Sequence, residues 1–150
     1  MSRNDPTGTG SFSLNRKSGT TIGTYSHAEG SNTTASGSVS HAEGTNTTAS
    51  GNYSHAEGWY TTAQTRSQHV QGEYNILDTK NNAGARGTYV HIVGNGTSDT
   101  KRSNAHTVDW SGNAWYQGTV EGTGFILASP DGTRYKITVA NDGTLSAVAV

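Results

Sequence analysis

Polar and apolar positions between residues 23 and 72 follow a pattern that repeats every 14 residues. The unit is Gly-x-x-Ser-His-Ala-Glu-Gly, and three close copies are followed without a gap by an altered one, at 23–30, 37–44, 51–58 and 65–72. Upstream, Gly10–Ser13 is similar to a degenerate first copy that is one residue out of register. Such a unit is too short for a helix-turn-helix repeat, but it accommodates two short strands and two turns. Each unit therefore predicts one coil of a β-solenoid.

Alternation inside the unit separates two faces of the predicted strand. In the first copy, Tyr25, His27 and Glu29 fall on one face, and Ser26 and Ala28 fall on the other. The face of small residues fits a very narrow solenoid interior, where only Ala, Ser, Thr or Gly has room. The glycines that end the unit are expected to mark turns with positive φ; they are Gly30, Gly44 and Gly58.

Beyond residue 75 the period ends, and ordinary strand and turn signals take over. The run Tyr89–Val93 predicts a strand, and the turn Ser111–Asn113 predicts a hairpin that returns through Ala114–Gln117. Turns at Pro130–Gly132 and Asn141–Gly143 separate three strands of an antiparallel meander. The chain is therefore expected to be all-β, with a flexible N-terminal segment 1–9, a β-roll 10–75, a β connector with a Trp-rich hairpin 76–121 and a C-terminal three-stranded meander 122–150.

The composition changes this picture in one respect, the source of burial. Only 30% of the residues are hydrophobic, while Gly, Ser, Thr and Asn occupy 72 of the 150 positions. A chain of this kind offsets its conformational entropy poorly on its own, so disorder would be the simple explanation. However, the charged fraction is only 14% and the polar residues are ordered into a repeat. We therefore expect a backbone-bonded β-structure that gains burial by stacking or by association of several chains.

Charge and residue usage exclude several classes of partner. The formal net charge of −1 argues against nucleic acid, because phosphate binding requires a concentrated basic surface. Cysteine is absent, which excludes disulfides and cysteine-ligated zinc. No apolar run is long enough to span a membrane, and the polar segment Met1–Gly10 does not have the pattern of a signal peptide.

The repeat resembles a known family. Ser40–Gly51 is similar to the repeat of the YadA-like heads of trimeric autotransporter adhesins, Ser-Val-Ala-Ile-Gly-x-x-Ser-x-Ala-x-Gly, with the first Ser and both Ala and Gly positions matched. His41 and Glu43 depart from it, replacing Val and Ile. The resemblance covers residues 10–75 and implies a left-handed parallel β-roll, one coil per repeat, assembled as a homotrimer.

Histidines and glutamates recur once per repeat, so a solenoid would stack them in columns about 4.8 Å apart from coil to coil. Two like charges at about 5 Å cost about 1 kcal/mol in water and about 3 kcal/mol at an effective dielectric of about 20, so the glutamates need solvent or a partner. Our favoured interpretation is a His–Glu hydrogen-bond ladder at a subunit interface; a solvated polar face and metal ligation by three symmetry-related histidines are the alternatives. The residues are His27, Glu29, His41, Glu43, His55, Glu57 and His69.

Two downstream segments resemble parts of phage fibres. Asn104–Gly118 is similar to a segment common in tail fibres and related virion appendages, and Ser129–Ala147 is similar to C-terminal modules of head and tail fibres. Aromatic faces stack on sugars, which makes the exposed aromatics candidates for surface binding. The favoured alternatives are packing of coil on coil in the repeats and a local core in the hairpin. The candidates are Tyr53, Trp59, Tyr60, Trp110, Trp115 and Tyr116.

These observations favour a non-enzymatic structural and attachment protein, because identical repeats lack the distinct environments that a catalytic site needs. We expect a homotrimeric fibre segment of a phage or phage-like particle, with other virion proteins and a host-surface carbohydrate as partners. We expect no cofactor, metal, nucleic acid or membrane insertion. A cell-surface autotransporter head is the alternative, although no export signal or membrane anchor is recognised. An ice-binding solenoid is a third hypothesis, based on the rows Thr33–Thr34, Thr47–Thr48 and Thr61–Thr62.

Overall fold

The computed structural model describes residues 10–78, 83–120 and 125–150, so the predicted flexible segment 1–9 lies outside the described residues. All regular elements in these ranges are strands, which confirms the all-β class, and none of the described residues forms a helix long and apolar enough to cross a bilayer. The chain divides into two compact units, residues 1–118 and 119–150. The strands are β1 Phe12–Leu14, β2 His27–Ser31, β3 Thr34–Ala35, β4 His41–Thr45, β5 Thr48–Ala49, β6 His55–Ala56, β7 Thr62–Ala63, β8 His69–Glu73, β9 Tyr89–Asn95, β10 Asn104–Asp109, β11 Ala114–Tyr116, β12 Phe125–Ala128, β13 Arg134–Val139 and β14 Leu145–Ala149.

The first unit is a parallel β-solenoid of about four turns. One side is an eight-stranded sheet in the order β1-β2-β4-β6-β8-β9-β10-β11. Its strands place like residues opposite each other, so His41 lies between His27 and His55. Phe12 of β1 lies opposite His27, a spacing of 15 residues. The first copy is therefore one residue out of register, as the sequence predicts.

The second side is a three-stranded sheet in the order β3-β5-β7, also parallel, with Thr34 opposite Thr48 and Thr48 opposite Thr62. Each of these coils therefore contributes two short strands, as expected. The core between the two sides is a single layer in which Ala side chains predominate, which confirms the predicted narrow interior. Its members are Ala28, Ala35, Ala42, Ala49, Ala56, Ala63, Val70 and Ile92.

Glycines let the coils approach closely. Gly30, Gly44 and Gly58 have φ of 105°, 101° and 104°, which confirms the predicted positive values. Gly30 and Gly44 nevertheless lie inside β2 and β4 rather than in turns. A Cβ added at Gly44 would overlap the carbonyl oxygen of Gly58 in the next coil. The position therefore needs glycine both for its φ and for the close backbone approach.

Residues other than glycine also adopt left-handed backbone, at two corners of each coil. One row lies at Tyr25, Val39, Tyr53 and Ser67, with φ between 54° and 59°. The other lies at Asn32, Asn46, Tyr60 and Tyr74, with φ between 38° and 56°. Asn tolerates this conformation, whereas a β-branched residue such as Val39 is strained by it.

Polar side chains close the second sheet beyond β7. The backbone N–H of Thr62 donates to Asn75 Oδ1 at 2.8 Å, and Asn75 Nδ2 donates to the Thr62 carbonyl at 3.1 Å. The buried side chain of Asn75 thus takes the place of a further strand. Gln68, also buried, accepts from the N–H of Gln64 at 3.0 Å and donates to the Asp78 carboxylate at 3.1 Å. These contacts satisfy edge groups that another coil would otherwise bind.

The first sheet continues past residue 75, where the repeat pattern ends. Strand β9 pairs in parallel with β8 and brings Ile92 opposite Val70, a spacing of 22 residues. Strands β10 and β11 then add as an antiparallel hairpin. The predicted strand at Tyr89–Val93 and the predicted hairpin are therefore confirmed, and β9 extends to Asn95.

The second unit is the predicted antiparallel meander, in the order β12-β13-β14. Its register places Phe125 opposite Ile137 and Val139 opposite Leu145, so one face is apolar. Leu127 and Tyr135 lie on this face too, whereas Arg134, Lys136, Thr138 and Ser146 are on the opposite face. No residue between 125 and 150 is buried. The unit therefore has an amphipathic sheet but no core of its own.

Candidate functional site

All six histidines of the chain lie in one column across the eight-stranded sheet. The next two rings, His91 and His106, are tilted, at centroid distances of 5.4 and 5.6 Å from their predecessors. The first four are stacked with centroids 4.7, 4.6 and 4.7 Å apart, and belong to His27, His41, His55 and His69. We call these six residues the histidine column.

Aromatic rings cover both ends of the histidine column. Phe12 meets His27 edge-on at 5.0 Å, and Tyr116 stacks on His106 at 4.4 Å. The sequence predicts four members and misses His91 and His106, because the spacing changes to 22 residues between β8 and β9. The available signal is the alternation in Tyr89–Val93, which repeats the histidine-then-apolar order of the coils.

The glutamates pair with the histidine column within one chain. His55 Nε2 lies 3.1 Å from Glu43 Oε1 and is hydrogen-bonded to it, although the two residues belong to adjacent coils. His27 and Glu29, on the same strand, are 3.6 Å apart. His69 and Glu57 are 3.4 Å apart, in adjacent coils. A His–Glu ladder therefore exists inside the chain, while its place at a subunit interface stays a prediction.

Several imidazole nitrogens of the column are buried without a hydrogen bond. His27 Nε2, His41 Nε2 and His69 Nε2 have no hydrogen-bond partner among the described residues, although His27 and His69 have a carboxylate within ion-pair distance. A buried polar atom without a partner costs about 1–3 kcal/mol of desolvation. The column therefore has unused capacity to bind a proton or an ion.

Burial and like-charge neighbours make the column reluctant to take up protons. Burial lowers the pKa of His41, and the neighbouring rings of His55 and His27 lower it further. Burial likewise lowers the pKa of His91, with smaller effects from His69 and His106. Nearby glutamates offset part of these shifts. Both histidines are therefore neutral at neutral pH.

The histidine column also contains three groups of donor atoms with the composition of a metal site. In each group two histidines and one glutamate place one donor atom apiece within 4.8 Å of one another. Imidazole and carboxylate together suit divalent ions of borderline softness, such as Zn²⁺. The groups are His27–Glu29–His41, His41–Glu43–His55 and His55–Glu57–His69.

The predicted surface aromatics of the repeats separate into two places. Trp59 and Tyr60 join Tyr74 in a cluster in which Tyr60 stacks on Tyr74 at 4.7 Å and Trp59 meets Tyr74 edge-on at 5.2 Å. Trp59 is 44% exposed, so this cluster still presents an aromatic surface. Tyr53 lies in the other left-handed row and is 59% exposed.

The hairpin aromatics occupy distinct environments. The Arg86 guanidinium lies 4.4 Å from the ring centroid of Trp110, a cation–π contact. Trp115 lines a cavity of about 350 Å³ together with Asp109 and Asn113. Tyr116 ends the histidine column. These three aromatics therefore do not form one patch.

Comparison with protein-family models, curated proteins and solved structures finds no significant match for this chain. The function is therefore argued from the geometry of the two units.

Proposed function

We propose that this chain is a non-enzymatic structural and attachment protein, a homotrimeric fibre segment of a phage or phage-like particle. In this proposal the solenoid is a left-handed β-roll with one coil per 14-residue repeat. Three rolls and three C-terminal sheets assemble side by side. The fibre connects other virion proteins to a host surface and needs no cofactor.

The observation that carries the proposal is the uncovered apolar face of the C-terminal sheet. Leu127, Val139 and Leu145 on that face are 60%, 66% and 71% exposed. A three-stranded sheet needs a hydrophobic layer against its apolar face to be stable. Identical sheets arranged around a threefold axis would supply that layer, since each presents the same face to the others.

The thin roll supports the same conclusion. Its core is mostly alanine, and an Ala side chain buries much less apolar area than a Leu or Phe side chain. The histidine column and its glutamates lie half-buried along one side, where a second chain could complete their burial. Association would therefore add what the single chain lacks.

Attachment is assigned to the exposed aromatics, because Tyr and Trp rings bind sugar faces at little conformational cost. We infer that Trp59 with Tyr60, and separately Trp115 beside Asp109, contact a host-surface carbohydrate. A glycan array with the assembled protein should show binding that Trp59→Ala or Trp115→Ala weakens. An array without any hit would contradict the assignment.

The ice-binding hypothesis has less support. Thr33, Thr47 and Thr61 are fully buried, which leaves one threonine of each pair, at Thr34, Thr48 and Thr62, to form a single row. A flat water-ordering surface would require wider arrays than this row provides.

The mass in solution tests the proposal. Light scattering after size exclusion should give about 47 kDa, three times the chain mass of 15.7 kDa. Leu145→Asp places a charge on the apolar face and should shift the protein to 15.7 kDa. Lys136→Asp, on the opposite face of the same sheet, is the matched control and should remain trimeric. A monomeric wild-type protein would overturn the proposal.

A further inference from the structure

The N-terminal end of the histidine column differs from the rest. His27 Nε2 and His41 Nε2 are both buried without a hydrogen bond among the described residues, and Glu29 lies beside them. In the next group His55 Nε2 is already hydrogen-bonded to Glu43 at 3.1 Å. The first group therefore has two free imidazole donors, where the second has one.

We propose that His27, Glu29 and His41 form a binding site for a divalent transition-metal ion of the Zn²⁺ class. Two imidazole nitrogens and one carboxylate are donors that such ions prefer over the all-oxygen sets of Mg²⁺ or Ca²⁺. Three ligands from the chain leave a fourth position for water in tetrahedral geometry. The site lies within one chain, so it does not depend on the proposed trimer.

The three side chains need only a small rearrangement to bind one ion. Their donor atoms lie within 4.8 Å of one another, whereas nitrogens about 2.0–2.1 Å from a tetrahedral ion lie about 3.4 Å apart. The side chains of His27 and Glu29 are 39% and 42% exposed, so they have room to rotate. The parallel rings of His27 and His41, now 7° apart, would tilt so that their lone pairs converge.

The ion would act as a clip between neighbouring coils. His27 and Glu29 belong to β2 and His41 belongs to β4, so a bound ion ties two strands that are paired only by backbone hydrogen bonds and ring stacking. An unfolded chain does not hold these donors together, and binding therefore stabilises the folded roll in proportion to ion concentration. The site gives the roll a metal-dependent stability at its N-terminal end.

Calorimetric titration of the full chain tests the site. After dialysis against EDTA and then against chelator-free buffer at pH 7.5, ZnCl₂ should bind with one tight site per chain and raise the thermal midpoint, and MgCl₂ should do neither. His41→Gln and Glu29→Gln should each weaken zinc binding by at least about tenfold. His106→Gln is the matched control, because it removes a histidine of the same column that belongs to none of the three groups, and should bind zinc like the wild type.

A chain that shows no saturable zinc binding would overturn the proposal, and so would a His106→Gln variant weakened as much as His41→Gln. Glu29→Gln keeps side-chain size and leaves the ring stack intact, so it guards against misfolding of the histidine variant. The spin-resonance spectrum of bound Cu²⁺ provides a second readout: coupling to two nitrogens in the wild type should fall to one in His41→Gln. Equal spectra for the two proteins would reject the assignment. Light scattering on the same samples reports the oligomeric state separately.

Discussion

The solenoid and the C-terminal sheet meet the same need for burial in opposite ways. The solenoid buries small side chains completely, with Ala42, Ala49 and Ala56 at 0% exposure. The C-terminal sheet carries much larger apolar residues and leaves Leu145 and Val139 mostly exposed. Side-chain size and burial are therefore inversely related between the two units.

The difference shows where each unit obtains its specificity. In the solenoid the information lies in the backbone, since glycine and left-handed corners allow coils to stack in register with almost no side-chain volume between them. In the C-terminal sheet it lies in the apolar face, which specifies a partner rather than a core. The solenoid should therefore be sensitive to backbone changes, and the sheet to changes of surface polarity.

The largest effect is expected from Gly44→Ala. The new Cβ would overlap the carbonyl oxygen of Gly58, and the backbone there has a φ of 101°. Because two stacked backbones cannot separate without breaking their hydrogen bonds, we expect a loss of at least about 4 kcal/mol in the free energy of unfolding. Urea denaturation followed by circular dichroism measures it.

Gly132→Ala is the control in the C-terminal sheet. Gly132 has a φ of 87°, but nothing lies within 4 Å of an added Cβ. This substitution therefore isolates the cost of the conformation, about 1 kcal/mol. Equal losses at the two glycines would show that the close approach of the coils contributes nothing.

The cap of the solenoid predicts the next largest effect. Asn75→Ala removes both hydrogen bonds to the Thr62 backbone, at 2.8 and 3.1 Å, in a fully buried place. Leaving these groups without partners should cost about 3 kcal/mol. Asn95→Ala, which removes an exposed hydrogen bond to Gln117, should stay within about 0.5 kcal/mol of the wild type. If both variants melt alike, the cap is not what closes the second sheet.

Acidification should separate the two units. The pKa of His91 is lowered below 6.5 by burial first and by adjacent histidines second, so the unfolded chain binds more protons in the range just below pH 6.5. The stability of the solenoid is therefore present above pH 6.5 and falls as the pH drops below that value. The charged or titratable groups facing His91 are His69, His106 and Glu57.

The C-terminal sheet has no histidine and should respond only at lower pH. Hydrogen bonding to the Ser129 hydroxyl lowers the pKa of Asp131, and hydrogen bonding to Thr144 lowers the pKa of Asp142. Carboxyl groups of this kind stabilise the folded state above pH 3.8 and lose that effect as the pH falls further. Hydrogen exchange in EDTA at pH 7.5, 5.5 and 3.5 should show the solenoid loosening first, and His91→Gln should reduce its response. Simultaneous loosening of both units at pH 5.5 would contradict this order.

Much of the fold follows from the sequence because the repeat states it three times. The narrow interior, the two strands per coil and the C-terminal meander depend on local alternation and turn residues, which a sequence displays directly. The continuation of the sheet into β9 does not, because residues between β8 and β9 change the spacing to 22. The cap formed by Asn75 and Gln68 is invisible for the same reason: it depends on side chains replacing a strand, and no pattern marks them.

The candidate site was predictable in its columns but not in its pairings. Equal spacing places the histidines in a row, yet whether His55 bonds to Glu43 or to Glu57 depends on rotamers. The two nitrogens without partners, on His27 and His41, follow from the same choices. Arg102 shows the limit from another direction: its guanidinium donates to the carbonyls of Tyr60 and Asn75, contacts 42 and 27 residues apart that no local pattern announces.

The smallest effect, and the one that reverses sign between the units, concerns two exposed valines. Val39 is 47% exposed and has a φ of 54°, which a β-branched residue adopts only under strain, whereas Asn32 and Asn46 hold equivalent left-handed conformations without it. Val39→Asn should therefore raise the free energy of unfolding by about 1 kcal/mol. Val139 is 66% exposed but lies in strand β13, where asparagine is disfavoured, so Val139→Asn should lower stability by up to about 1 kcal/mol. Thermal melts of the two variants should move in opposite directions. A fall for Val39→Asn would mean that packing of its side chain outweighs the backbone strain, and that the solenoid depends on its exposed corners as the C-terminal sheet depends on its apolar face.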